Sequence, residues 1–254
     1  MITLKTITTI ELSNICNLKC QYCINRLLVK HPSRKPGIMT DEVFDKTLEL
    51  LQELCNRGTQ MEVNMNGDGE SFLDPQLAYR IKRVKYIVGN ERKVCMCTNG
   101  VNMTFGVCNA LKDAGLDQLD LSPHSVFHAR KAAQIMMQVG IPGVINDGVI
   151  LHTHNWAGQL EPENSVAEVK IKTQCDPLIE GRGYVLREGN ITPCCYDYRN
   201  LGVFGTVFDD DILDHPIRPF ALCKTCHQII PPEILAEYQM ENQPADQDLV
   251  RMYA

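Results

Sequence analysis

From the N-terminus to about residue 150, short β-branched runs alternate with longer stretches in which apolar side chains recur every three or four positions. Residues 5–12 read as a first strand. Thr40 then stands as an N-cap with Asp41 and Glu42 in the first turn, and Phe44, Leu48, Leu51 and Cys55 fall on one face of a first helix. Residues 61–65 alternate as a second strand. Asp74-Pro75 opens a second helix, its proline in the first turn where the missing N–H costs no bond. The pattern repeats as a strand at 92–97, a helix at 103–114 closed by Gly115, a strand at 116–121, a helix at 126–139 closed by Gly140, and a fifth strand at 144–151. Glycine supplies the left-handed turn that a helix C-terminus favours.

The alternation stops over 152–167, where Pro162 and many polar residues leave no helical stripe, and 168–172 reads as a sixth strand. Parallel strands need crossovers, usually helical. Six strands with four helices therefore predict an α/β fold, a partial (β/α)6 TIM-like barrel over residues 1–167. A small unit, a β-hairpin plus helix, follows over 168–235, and a helix-prone tail over 236–254. An open side admits a substrate too large for a closed barrel, and chemistry in such barrels sits at the C-terminal ends of the strands.

Composition adds exclusions. With 254 residues, 44% apolar and 22% charged, the chain has room for one core plus an appendage. The net charge is −6, and the basic run Arg80-Ile81-Lys82-Arg83-Val84-Lys85 suits the solvated face of a helix, so nucleic acid is not an expected partner. The N-terminus lacks a signal-peptide pattern and no run of about 18 apolar residues is present, so the expectation is a cytoplasmic protein with no membrane partner. In a reducing compartment, 12 cysteines point to metal or catalysis rather than disulfides.

The cysteines fall into two sets. Cys16, Cys20 and Cys23 form a CxxxCxxC loop after the first strand. Cubane clusters usually take four thiolates, so a three-thiolate loop leaves one iron open to a ligand that is not protein. A zinc site or unrelated thiols is the alternative from the pattern alone. Cys175, Cys194, Cys223 and Cys226 make the second set, with Cys175 and Cys194 flanking a hairpin and Cys195 competing with Cys194. Read alone, that set suits tetrahedral zinc.

With Tyr22 just before its last cysteine, the loop resembles that of the radical S-adenosylmethionine (radical SAM) enzymes. The resemblance implies that Cys16, Cys20 and Cys23 hold a 4Fe-4S cluster whose open iron chelates S-adenosylmethionine. Reduction then gives a 5'-deoxyadenosyl radical that takes a hydrogen atom from substrate, the protein supplying position and shielding. It also implies that Tyr22 lies against the adenine and that Gly67, Gly69 and Glu70 meet the amino group. Glycines permit a close backbone approach and Glu70 offers a carboxylate to a cation. Asp68 and Ser71 depart from the family's Gly-Gly-Glu pattern. Asn99, in Thr98-Asn99-Gly100, and Ser122 would complete the cofactor contacts at the third and fourth strand ends. Pro193-Cys194-Cys195-Tyr196-Asp197 and Leu201-Gly202 resemble the Twitch domain, the shortened SPASM extension. This implies an auxiliary 4Fe-4S cluster on Cys175, Cys194, Cys223 and Cys226, suited to accepting an electron and so to net oxidation.

The layout most resembles the family's aminocyclitol alcohol dehydrogenases. Their Asn-Arg-Gly-Gly segment reads Asn155-Trp156-Ala157-Gly158 here, without the arginine. Trp156 is expected to wall the substrate pocket, and His124, His152 and His154 to offer proton acceptors. Cys95 and Cys97 share one face of the third strand and would serve as hydrogen donors in an epimerase, whereas Cys55 and Cys108 fall on helical stripes as core residues. The expected activity is oxidation of a small sugar- or cyclitol-like substrate, with an electron donor such as flavodoxin or ferredoxin. Radical epimerisation and peptide maturation are the enzymatic alternatives, and a zinc-binding interaction module the non-enzymatic one.

Overall fold

The computed structural model describes residues 1–20, 23–25, 34–122, 126–145 and 175–226. Tyr22, His124, His152, His154, Trp156, the fifth strand beyond Ile145, the sixth strand and the tail lie outside the described residues.

Four βα units build the first part. They comprise β1 (Thr6–Ile10), α1 (Asp41–Asn56), β2 (Val63–Asn64), α2 (Leu77–Val88), β3 (Val94–Thr98), α3 (Phe105–Asp113), β4 (Gln118–Leu121) and α4 (Val126–Val139). Then come a short α5 (Asp176–Ile179), β5 (Arg182–Val185), β6 (Asn190–Thr192) and β7 (Gly205–Thr206). The seven strands form one sheet in the order β4-β3-β2-β1-β5-β6-β7. β1 to β4 are parallel, β5 pairs parallel with β1, and β6 and β7 add antiparallel strands. The hairpin unit therefore extends the barrel sheet from the β1 edge, and Cys175 and Cys194 flank it in sequence. The opening of the expected fifth strand is present as a parallel bridge between Leu121 and Ile145.

Strand alternation divides the sheet into two faces. Ile7, Val63, Val94, Met96, Leu119 and Leu121 join the apolar core beneath the helices, against Phe44, Leu48 and Leu51 of α1, Ile81 and Val84 of α2 and Leu111 of α3. The intervening Asn64, Cys95, Cys97, Gln118 and Asp120, with Thr9 turned to their face by an irregularity in β1 between Ile7 and Thr9, form a polar row joined by the pairings Thr9 with Asn64, Asn64 with Cys95 and Cys97 with Asp120.

The helices start as their sequences dictate. Thr40 accepts the Val43 amide at 3.3 Å and Thr104 that of Val107 at 3.2 Å, while Gly115 and Gly140 end the helices before them with φ of 93° and 71°. Two expectations need correction. Helix α2 starts at Leu77, not in the first turn after Asp74, because Asp74 Oδ1 accepts the Gln76 amide at 2.8 Å and holds Pro75 in a preceding turn. Arg80 is buried rather than solvated, since its guanidinium donates to Met39 O and Asp41 Oδ1, each at 2.8 Å, and stacks 5.0 Å from the Phe44 ring.

Candidate functional site

The cysteine loop leaves β1 at the C-terminal mouth of the parallel strands. Backbone amides point at its sulfurs: Leu18 N donates to Cys16 Sγ and Asn25 N to Cys23 Sγ, both at 3.4 Å. Burial pushes the Cys16 thiol up, and the Cys23 thiol to about 11, so metal binding there is coupled to loss of thiol protons.

The loop after β2 packs directly onto the cysteine loop. A Cβ on Gly69 would sit 2.3 Å from Ser13 O and 2.6 Å from Ile15 O, and one on Gly67 would sit 2.4 Å from Glu11 Cγ. These glycines are required by contact between two chain segments. Asn25 Nδ2 completes the seam, donating to Asn14 O and Asp68 O at 2.8 Å each.

Glu70 is only 4% exposed, and its carboxylate accepts from Thr98 Oγ1 at 2.9 Å, Asn99 N at 2.9 Å and Phe72 N at 3.1 Å. Burial raises its pKa, and those three donors oppose the rise. Its visible work is to lock the ends of β2 and β3 together. Asn99 in turn donates to Asn17 Oδ1 at 2.8 Å and reaches Cys16 Sγ at 3.8 Å. Ser122 Oγ lies 3.2 Å from Cys97 Sγ at the ends of β4 and β3. Cys95 is buried one turn of the pleat below, its thiol pushed to about 11 by burial and then by Glu62.

Beneath the loops lies an ion group that sequence reasoning missed. Arg34, 2% exposed, pairs with Glu11, with Asp68 at 3.0 Å and with Glu188 at 3.3 Å. Glu11 also accepts the amides of Arg187 at 2.9 Å and Asp68 at 3.1 Å. Burial raises the Glu11 carboxyl against the pull of Arg34. Asp68 is pushed up to about 7 by burial first and by Glu11 second, with Arg34 opposing. A charged residue alternating with Thr9 at the end of a strand was the signal available for Glu11. Its partner is remote in sequence, so the pair was not legible.

Two cavities border the hairpin. One, of about 280 Å³, lies between the β2 loop and the hairpin, lined by Glu11, Asn66, Asp68, Tyr184, Cys194 and Cys195 among others. The other, of about 40 Å³, is walled by Cys175, Cys194, Cys223 and Cys226 together with Leu178, Pro193, Phe220 and Leu222. The four cysteines singled out from sequence thus share one apolar chamber, and Cys195 faces the larger cavity instead. Tyr196 N donates to Cys194 Sγ at 3.4 Å and Phe220 N to Cys223 Sγ at 3.5 Å. Burial raises the thiols of Cys175 and Cys223. Asp197, also unforeseen, is buried and accepts from Thr192 Oγ1, Leu201 N and Gly202 N at 2.7–2.9 Å, fixing the turn after Cys194.

Among the described residues, no three His, Cys, Asp or Glu side chains converge closely enough for one metal ion. A cube with spread corners asks for a wider cradle than a single ion, and soft thiolates with amide donors suit it chemically. Both cysteine sets fit such a group in donor type.

Parallel strands with a three-cysteine loop at their mouth, a glycine-tight second loop and a polar inner wall define a partial-barrel cofactor enzyme. The chain belongs to the radical SAM superfamily, whose model matches residues 10–156. Membership implies S-adenosylmethionine and a 4Fe-4S cluster. Among curated proteins the chain is similar to GTP 3',8-cyclase of Limosilactobacillus fermentum, 32% identical over 115 residues, covering 44% of this chain and 32% of that one. The GTP 3',8-cyclase of Streptomyces coelicolor is 29% identical over 113 residues, covering 44% and 31%. The matches thus span about a third of those relatives' length. Among solved structures the fold is similar to BtrN in complex with AdoMet and 2-DOIA, with TM-score 0.62, 18% identity and coverage of 83% of this chain and 82% of that one. BtrN in an open conformation gives 0.56 and 17%, covering 88% and 92%. Likeness at that identity establishes the partial TIM-like barrel. Among the described residues no helix is long and apolar enough to cross a membrane.

Proposed function

We propose that this protein is a radical SAM oxidoreductase that oxidises a hydroxyl-bearing carbon of a small polar ring, of sugar or cyclitol class, and holds an auxiliary 4Fe-4S cluster in a Twitch domain. S-adenosylmethionine, bound to the cluster on Cys16, Cys20 and Cys23, supplies on reduction the radical that removes a hydrogen atom from substrate. The chain's own residues bind, orient and shield. Gly67 and Gly69 bring the β2 loop against the cysteine loop, Asn99 holds that loop to the end of β3, and Ser122 marks the adjacent strand end. A flavodoxin or ferredoxin is the electron donor in this reading.

One observation carries the oxidative reading. The cavity of about 280 Å³ is bordered by Asp68 of the β2 loop on one side and by Cys194, a member of the four-cysteine chamber, on the other. Its volume suits a single ring with polar substituents. The cavity thus runs from the loop that carries Gly67 to a member of the four-cysteine set that would accept an electron. Epimerisation by Cys95 or Cys97 finds less support, because neither lines this cavity.

The test is anaerobic reconstitution followed by incubation with carbon-deuterated aminocyclitols and sugars. Deuterium should appear in 5'-deoxyadenosine together with a ketone product, from protein holding about eight irons per chain. About four irons would remove the auxiliary cluster from the reading. A stereoisomer in place of a ketone would replace oxidation with epimerisation.

A further inference from the structure

We propose that Asp68 is a catalytic residue, the group in this cavity that takes the proton of the substrate hydroxyl, oriented for it by Arg34. The inference rests on the oxidative reading above. Removing the carbon-bound hydrogen atom leaves a carbon radical beside an O–H group. To close the C=O bond, the O–H bond breaks, the proton passes to the Asp68 carboxylate, and one electron leaves to an acceptor of iron–sulfur class on the Cys175 set.

Asp68 is selected by what its neighbours are already doing. Three carboxylates line the cavity: Glu11, Asp68 and Asp197. Glu11 uses one oxygen on Arg34 and the Arg187 amide and the other on the Asp68 amide. Asp197 uses both oxygens on Thr192, Leu201 and Gly202. Asp68 gives only Oδ2 to Arg34, at 3.0 Å, and Oδ1 has no partner among the described residues. Its side chain keeps 11% exposure at the cavity wall. Tyr184 also lines the cavity, and burial raises its phenol so that it holds its proton near neutrality and offers no base.

The surrounding charges set its working range. Asp68 faces Glu11 of β1, Arg34, Asp197 and Cys195 of the segment after β6, Cys23 of the cysteine loop, and through Arg34 also Glu188. Burial and Glu11 bring the carboxyl to about 7, opposed by Arg34, so it accepts and releases a proton near neutrality. Asp68 stands between Gly67 and Gly69, the glycines whose close contacts seat this loop on the segment after β1. The same loop that meets the cofactor would thus supply the base.

Full-length reconstituted protein and its Asp68→Asn and Asp68→Glu variants decide the matter. In infrared difference titrations, wild type should show a carboxyl band titrating near pH 7 that Asp68→Asn lacks. With a carbon-deuterated aminocyclitol as probe, Asp68→Asn should still move deuterium into 5'-deoxyadenosine while ketone falls about 100-fold or more, and Asp68→Glu should recover part of it. Wild-type ketone formation should rise with pH through about 7, and the Asn variant should lose that rise. Ketone at the wild-type rate in Asp68→Asn overturns the proposal, and so does the absence of the band, whichever substrate is right. Failure of wild type to transfer deuterium from any cyclitol or sugar instead sinks the substrate reading, which the band does not depend on.

Discussion

The Asn99 side-chain amide donates to Asn17 Oδ1 at 2.8 Å, tying the end of β3 to the cysteine loop across 82 residues of sequence. The same residue gives its backbone amide to Glu70 and receives the Val101 amide on Oδ1 at 2.9 Å. Three strand ends are thereby held as one surface, with Cys16 Sγ at its edge. Preorganisation of this kind lets a cofactor bind without first ordering the loops.

Replacing Asn99 with alanine removes the Asn17 clasp and leaves the Val101 amide unpaired. The expected result is a loss of about 1–3 kcal/mol in stability and an affinity for S-adenosylmethionine weakened about tenfold, equivalent to about 1.4 kcal/mol. Equilibrium dialysis on reconstituted protein measures the second effect. Unaltered affinity would show that the clasp does not shape the site.

Gly69→Ala places a methyl against two backbone carbonyls that have no freedom to withdraw. Overpacking of this type costs about 1–3 kcal/mol or more, and because it parts the β2 loop from the cysteine loop, iron retention at the first cluster should fall as well. Gly106 provides the control. It lies in α3, and a methyl added there would meet nothing within 4 Å, so Gly106→Ala should be neutral or stabilise by up to about 1 kcal/mol. Equal losses in the two variants, by denaturation and iron assay, would contradict the packing account.

What could be read in the sequence was local. The cysteine spacing, the cap at Thr40 and the terminating glycines are set within a few residues, and they reappear in the fold. Gly67 and Gly69 were legible as points of close approach, but what they approach, Glu11 and Ser13, was not. Glu70 illustrates the same limit: a carboxylate after a strand reads as available, and only the fold shows Thr98 and Asn99 occupying it. The parallel pairing of β5 with β1 and the Arg34–Glu188 pair join segments more than 150 residues apart in sequence, where no periodicity carries information. Arg80 was misread because a basic run on a helix looks solvated until Asp74 and Asp41 are found around it.

The buried carboxylates give folding a definite pH dependence. Asp68 has its pKa raised from 3.8 to about 7, so between those values the folded chain holds a proton that the unfolded chain releases. Its contribution to stability is full below about 4 and is lost as pH rises through about 7. Glu11 and Glu70, also raised by burial, act in the same direction. Urea midpoints should therefore decline from pH 5 to pH 8 in wild type and decline less in Asp68→Asn, which carries no titrating proton. Identical declines would refute the assignment of a raised carboxyl to this position. The pH range in which Asp68 becomes a competent base is the range in which it costs stability, a compromise common at functional sites.

The adjacent cysteines Cys194 and Cys195 are separated by where their thiols stand. Cys194 borders the apolar chamber shared with Cys175, Cys223 and Cys226, and its sulfur accepts the Tyr196 amide at 3.4 Å, as a cluster ligand would. Both cysteines border the larger cavity, but Cys195 does not line the chamber. Cys194→Ala should thus lower the iron content from about eight to about four per chain while 5'-deoxyadenosine is still formed. Cys195→Ala should keep all the iron and alter only what happens to the substrate. Replacing Cys16, Cys20 and Cys23 together should do the reverse of the first, ending S-adenosylmethionine cleavage with the auxiliary iron in place. Iron assay and electron paramagnetic resonance on the three proteins separate these outcomes, and loss of iron on removal of Cys195 rather than Cys194 would transfer the ligand role to its neighbour.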